Sequence, residues 1–103
     1  MATVGIISRD VVTKNRILDA LKEQGHDAVI ITGAVFDAGA FDLIMVDLDD
    51  SNAMLVLKQH GYKSLAFGSA NDEAKLKAAR AAGCERVHKH GEFFKKILPK
   101  LKI

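Results

Sequence analysis

The sequence predicts an α/β sandwich built on a five-stranded parallel sheet. Two observations carry this. Five short apolar runs recur along the chain, and helix-like amphipathic segments separate them. Buried strands alternating with helices read as βαβ units, with the sheet covered on both faces. The length, 103 residues, suits one domain spanning 1–103. Apolar residues are 49% of the chain, enough for a core at this size.

TVGIIS (3–8) reads as a buried first strand. Residues 11–24 are helix-like, with Val11, Leu18 and Leu21 on one face and Ile17 beside them. Asp10 is placed to cap that helix and Gly25 to stop it. DAVIITG (27–33) is a second buried strand. AVFDAGA (34–40) holds one helical turn or only loop. FDLIMVD (41–47) is the third strand. Ser51 can cap a short helix over 52–60, which Gly61 ends. The helices between strands two and four are therefore shortened.

SLAFGS (64–69) is the fourth strand, weakened as a strand by Gly68. Asn71, Asp72 and Glu73 open a helix that runs to about Ala82 before Gly83. A fifth strand follows at 86–89, then a terminal helix, EFFKKILPKL, broken near its end by Pro99. On that helix Phe94, Ile97, Leu98 and Leu101 form the apolar stripe, and Phe93 lies off its centre. Lys95, Lys96, Lys100 and Lys102 surround the stripe.

In such a sheet the carboxyl ends of the strands line one edge, where ligands bind. Asp47 ends strand three at that edge, and Asp49 and Asp50 follow it. Ser8, ending strand one, and Ser69, ending strand four, are expected beside it.

FDLIMVDLDD, AFGSANDEA and AAGCERVHKH, in that order, resemble the receiver domains of bacterial response regulators, which have a flavodoxin-like, CheY-like fold. The resemblance covers nearly the whole chain. It implies a two-component signalling or phosphorelay role. Asp47 matches the phosphoryl acceptor, Ser69 the hydroxyl that contacts the phosphoryl group, and Lys89 the cation that neutralises it. It also implies Mg2+, held by an acidic pair ending strand one. Here that pair falls on Ser8 and Arg9, so both carboxylates are absent. Asp10, Asp47 and Asp49 are the candidate ligands if a metal binds at all. The lysine is followed by His90, where the family usually has proline.

The resemblance leaves two readings. One is an active receiver using Mg2+ and Asp47. The other, taken forward, is a degenerate or pseudo-receiver that is not an enzyme, needs no cofactor and acts by protein–protein interaction. In it, Arg9 could pair with Asp47 directly and fill the metal's place. In receivers the fourth helix, fifth strand and fifth helix commonly form the dimer or output surface. Here that surface carries Lys75, Lys77, Arg80, Arg86, Lys95 and Lys96, so a protein partner or a homodimer is expected there. A small-molecule-binding flavodoxin-like module is the reading from another class, but no phosphate-binding loop supports it.

Charge is uneven. Residues 1–51 carry four basic and nine acidic side chains, giving −5; residues 52–103 carry eleven basic and four acidic, giving +7. The second half therefore builds a cationic face. One tyrosine and no tryptophan argue against a nucleic-acid module. Cys84, His88 and His90 lie within seven residues, but without a second cysteine they read as surface histidines and a core thiol. A single cysteine, no membrane-length apolar run and no signal peptide lead to the expectation of a cytoplasmic protein.

Overall fold

The computed structural model describes residues 2–101. Lys102, expected beside the terminal apolar stripe, lies outside the described residues. The strands are β1 (Thr3–Ile7), β2 (Asp27–Ile30), β3 (Leu43–Asp47), β4 (Ser64–Gly68) and β5 (Arg86–Lys89). All pair in parallel, in the order β2-β1-β3-β4-β5. The helices are α1 (Val11–Glu23), α2 (Ala53–His60), α3 (Glu73–Ala81) and a terminal helix over residues 90–100. Among the described residues, no helix is long and apolar enough to cross a membrane.

Strand alternation divides the core into two layers. Val4, Ile6, Leu43, Met45, Leu65 and Phe67 face α1 and the terminal helix, packing on Ile17, Leu21, Phe93, Phe94 and Leu98. Ile7, Ile44, Val46 and Ala66 face α2 and α3, meeting Val56, Leu57, Leu76 and Ala79. Because every second side chain points the same way, both faces of β3 are fully buried. This is the doubly wound arrangement that the alternating runs predict.

Several local expectations need correction. β2 is an edge strand, half exposed along its length, and it ends at Ile30 instead of Gly33. α1 buries Thr13, Ile17 and Leu21, an i, i+4, i+8 stripe, while Val11 stays 62% exposed. Residues 34–40 do hold one helical turn as expected, the 3-10 turn Ala38–Ala40, with Asp37 accepting the Gly39 N–H. Ser51 does not cap α2. Asn52 occupies the N-cap position without a side-chain bond, and Asp50 accepts the Asn52 N–H instead.

The terminal helix departs most. Its centre, Phe93–Ile97, is π-helical, with the Leu98 N–H bonded to the Phe93 carbonyl five residues back. That widened turn rotates Phe93 into the core, where it is fully buried and stacks on Phe67 at 4.3 Å. The 3.6-residue spacing had set Phe93 aside. Pro99 then ends the helix within a 3-10 turn. The stops at Gly25 and Gly83 agree with expectation; both have positive φ, which a side chain would strain.

Candidate functional site

Three strands deliver the candidate residues to one edge. The β1–β3 register pairs Ile7 with Val46, so Ser8 follows beside Asp47. Alternation puts both on the α1 side of the sheet. The Ser8 hydroxyl donates to Asp47 Oδ2 at 2.7 Å, and the pair is buried, Asp47 being only 5% exposed. The Asp49 N–H donates to Asp47 Oδ1 at 3.0 Å, and the Asp50 N–H to the Asp47 carbonyl. Each carboxylate oxygen thus has a donor, which offsets the cost of burying the charge.

The loop after β3 is shaped by the strand that follows. Leu48 extends the ladder, its N–H reaching the Phe67 carbonyl at 2.9 Å, and its side chain lies against Gly68. A Cβ at Gly68 would approach Leu48 Cδ1 to 2.9 Å and Leu48 Cβ to 3.2 Å, so the Leu48 side chain would have to shift. The glycine that weakened the strand in the sequence is thus what lets Leu48 pack.

Arg9 corrects an expectation. It is exposed, and among the described residues no ion pair joins it to Asp47. Ser8 fills that place. Asp10 caps α1, accepting from the Thr13 hydroxyl at 2.6 Å and the Thr13 N–H at 3.1 Å. These bonds hold its carboxyl below the usual aspartate range. Its N–H also bonds the Ser8 oxygen at 3.2 Å, fixing the hydroxyl that faces Asp47.

Ser69 and Lys89 reach the same edge, and among the described residues neither forms a hydrogen bond or ion pair with Asp47. The β4–β5 register pairs Gly68 with Lys89, and Ser69 follows Gly68. Both are exposed. The Ser69 hydroxyl accepts the Asn71 N–H at 3.2 Å and its carbonyl the Asp72 N–H at 3.1 Å, shaping the entry to α3. His90, next to Lys89, packs its ring against Phe94 and Phe67, at 4.7 and 5.9 Å between centroids.

Lys75 is the residue that sequence reasoning misassigned. Expected on the outer basic face, its ammonium instead meets Asp49 at 2.9 Å and stands 3.8 Å from Asp72, the α3 N-cap. The hydrogen bond to Asp49 raises its pKa above the ordinary lysine value, with the charges of Asp49, Asp72 and Asp47 adding to it. A signal was available. A lysine in the first turn of a helix that begins at the strand edge can reach back over that edge.

The donor set does not fit Mg2+. That ion takes about six oxygens in near-octahedral geometry, normally with carboxylates among them. Here Asp47 is bonded on both oxygens, by the Ser8 hydroxyl and the Asp49 N–H, and Asp49 holds an ammonium. Among the described residues, no three His, Cys, Asp or Glu side chains converge as a metal cluster. Cys84 is buried, its thiol pKa pushed up by that burial, while His88 pairs with Glu92 at 3.0 Å.

No protein-family model matches this sequence, and no curated protein sequence matches it. Solved structures do. A response regulator receiver domain protein from Clostridium thermocellum superposes with a TM-score of 0.72 at 12% identity, covering 87% of this chain and 82% of that one. A response regulator from Thermotoga maritima gives 0.71 at 14%, covering 95% and 92%. HP1043, an orphan response regulator of H. pylori, gives 0.66 at 17%, covering 95% and 87%. The fold is therefore that of response-regulator receiver domains. At such identities the likeness is one of fold alone.

Proposed function

We propose that this chain is a pseudo-receiver, a regulatory module that docks on a protein partner without accepting a phosphoryl group. The observation that carries the reading is the buried Ser8–Asp47 hydrogen bond, 2.7 Å long, in the position where a metal-dependent receiver needs carboxylates around its acceptor. A hydroxyl there is a poor magnesium ligand, and without a metal the charge developing on a transferred phosphoryl group lacks its main counter-ion. One observation favours the alternative, an active receiver: Asp47, Ser69 and Lys89 do end adjacent strands at one edge.

The partner surface we assign is formed by α3, β5 and the terminal helix. Lys77, Arg80, Arg86, Lys95 and Lys96 are all exposed there. Such a surface favours an acidic protein partner, or a second copy presenting its acidic first half, by long-range attraction. A cytoplasmic setting is supported by the lone, unpaired cysteine.

Two measurements test this. Incubation with a small phosphodonor and Mg2+ should leave the intact mass unchanged; an added phosphoryl group absent from Asp47→Ala would overturn the reading. Reversing Lys77, Arg80 and Lys96 to glutamate should abolish partner capture with the fold intact, while reversing Lys14 and Lys22 on α1 should matter less. Capture unaffected by either set would remove this face from consideration.

A further inference from the structure

We infer that Lys75 is an internal counter-ion clasping the loop after β3 to the loop after β4 across the carboxylate edge. The inference rests on the phosphorylation-independent reading above. Lys75 lies three residues past the cap Asp72, on the first turn of α3. Its ammonium spans two segments, each anchored to a strand end. Asp49 is tied through its N–H to Asp47 at the end of β3, and Asp72 through its N–H to the Ser69 carbonyl just past β4. One cation at 2.9 Å from Asp49 and 3.8 Å from Asp72 therefore adds a side-chain bridge between two turns whose strand ends already meet where the Leu48 N–H bonds the Phe67 carbonyl.

The clasp has a direct electrostatic consequence. Asp47, Asp49 and Asp72 would together present a negative edge that draws cations in from solution. A tethered ammonium reduces that potential and occupies an Asp49 oxygen, so an incoming cation must first displace it. The contact is partly exposed, Lys75 by 43% and Asp49 by 63%, so solvent and salt screen it. That makes it readily opened. A partner placing its own cation on Asp49, or any change that neutralises the lysine, frees both turns at once.

The test compares the full chain with Lys75→Gln by amide hydrogen exchange at residues 49–52 and 69–72. Both segments should exchange faster, by about two- to five-fold at low salt, the range set by a partly exposed ion pair. Lys75→Arg should keep wild-type rates, and about 0.5 M salt should bring the wild type towards Lys75→Gln. Unchanged core amides will report an intact fold. Rates that do not change, or that change in one segment only, overturn the clasp. The same wild-type sample titrated with Mg2+ separates the two ideas. Resonance shifts around Asp47 would overturn the pseudo-receiver reading, whereas silence there together with unchanged exchange overturns the clasp alone.

Discussion

The Ser8 hydroxyl and the Asp47 carboxylate, 39 residues apart, share a buried 2.7 Å hydrogen bond at the carboxyl edge of adjacent strands. The bond joins the end of β1 to the end of β3, and the Asp10 N–H holds the serine oxygen from the other side. The edge is thereby organised by a neutral donor, with the Lys75 ammonium held at the same edge by Asp49.

Ser8→Ala should destabilise the fold by about 1–2 kcal/mol, since a buried carboxylate loses one of its two donors. Asp47→Asn should cost less than about 1 kcal/mol, because no arginine is left unpaired behind it. A urea-melt cycle of the two single variants and the double variant checks this. A larger penalty for Asp47→Asn than for Ser8→Ala would show that the carboxylate charge matters more to folding than this geometry implies.

Residues before Asp47 in β3 should matter more. Ile44 and Val46 are fully buried between the sheet and α2 and α3. Ile44→Ala should cost about 2–4 kcal/mol and Val46→Ala somewhat less, through lost burial and cavity formation. Exposed Arg9→Ala should fall within about 0.5 kcal/mol of wild type. Denaturant midpoints at constant slope give the comparison.

Restoring the acidic pair tests the alignment of strand one. Wild type should bind Mg2+ weakly or not at all at millimolar concentration, and Ser8→Asp with Arg9→Asp should create measurable affinity. Calorimetry decides. A tight wild-type site lost in Asp47→Ala would contradict the expectation.

Two groups give pH dependence at opposite ends of the scale. The folded Asp10 pKa lies below the ordinary aspartate value of 3.8, chiefly through the Thr13 hydroxyl bond, so its contribution is present above that value and lost as pH falls through the folded one. The Lys75 pKa is raised above 10.5, chiefly by Asp49, so its contribution is full below 10.5 and lost as pH rises past the folded value. Asp10→Asn should flatten stability only on the acid side, and Lys75→Gln only on the alkaline side. Thermal melts across pH read both. Neither should alter the slope near neutrality.

Cys84 should be slow to alkylate in the native chain. Burial raises its thiol pKa above 9.0, so little thiolate is present and little of it is accessible. The rate should rise to that of a free thiol in denaturant. Fast native labelling would mean that the β4–β5 region opens readily.

What the sequence determined by itself is the set of signals that act locally. Apolar runs marked the first four strands and alternation with helices the short fifth, Asp10 marked a cap, Gly25 and Gly83 marked stops, and Asp47 was placed at the end of a buried strand. These depend on near neighbours in the chain, and they were enough to define the architecture and the edge that carries the candidate site. The tertiary structure decided what depends on side chains meeting across elements. The register of β1 on β3 put Ser8, not Arg9, on Asp47. The position of α3 over the strand edge turned Lys75 inward to Asp49. Strand order left β2 at the margin, and the π-turn drove Phe93 into the core against Phe67. Periodicity cannot supply these, because strand order, the register between distant strands and a helix that adds a residue to one turn are fixed only when the packed layers close on one another.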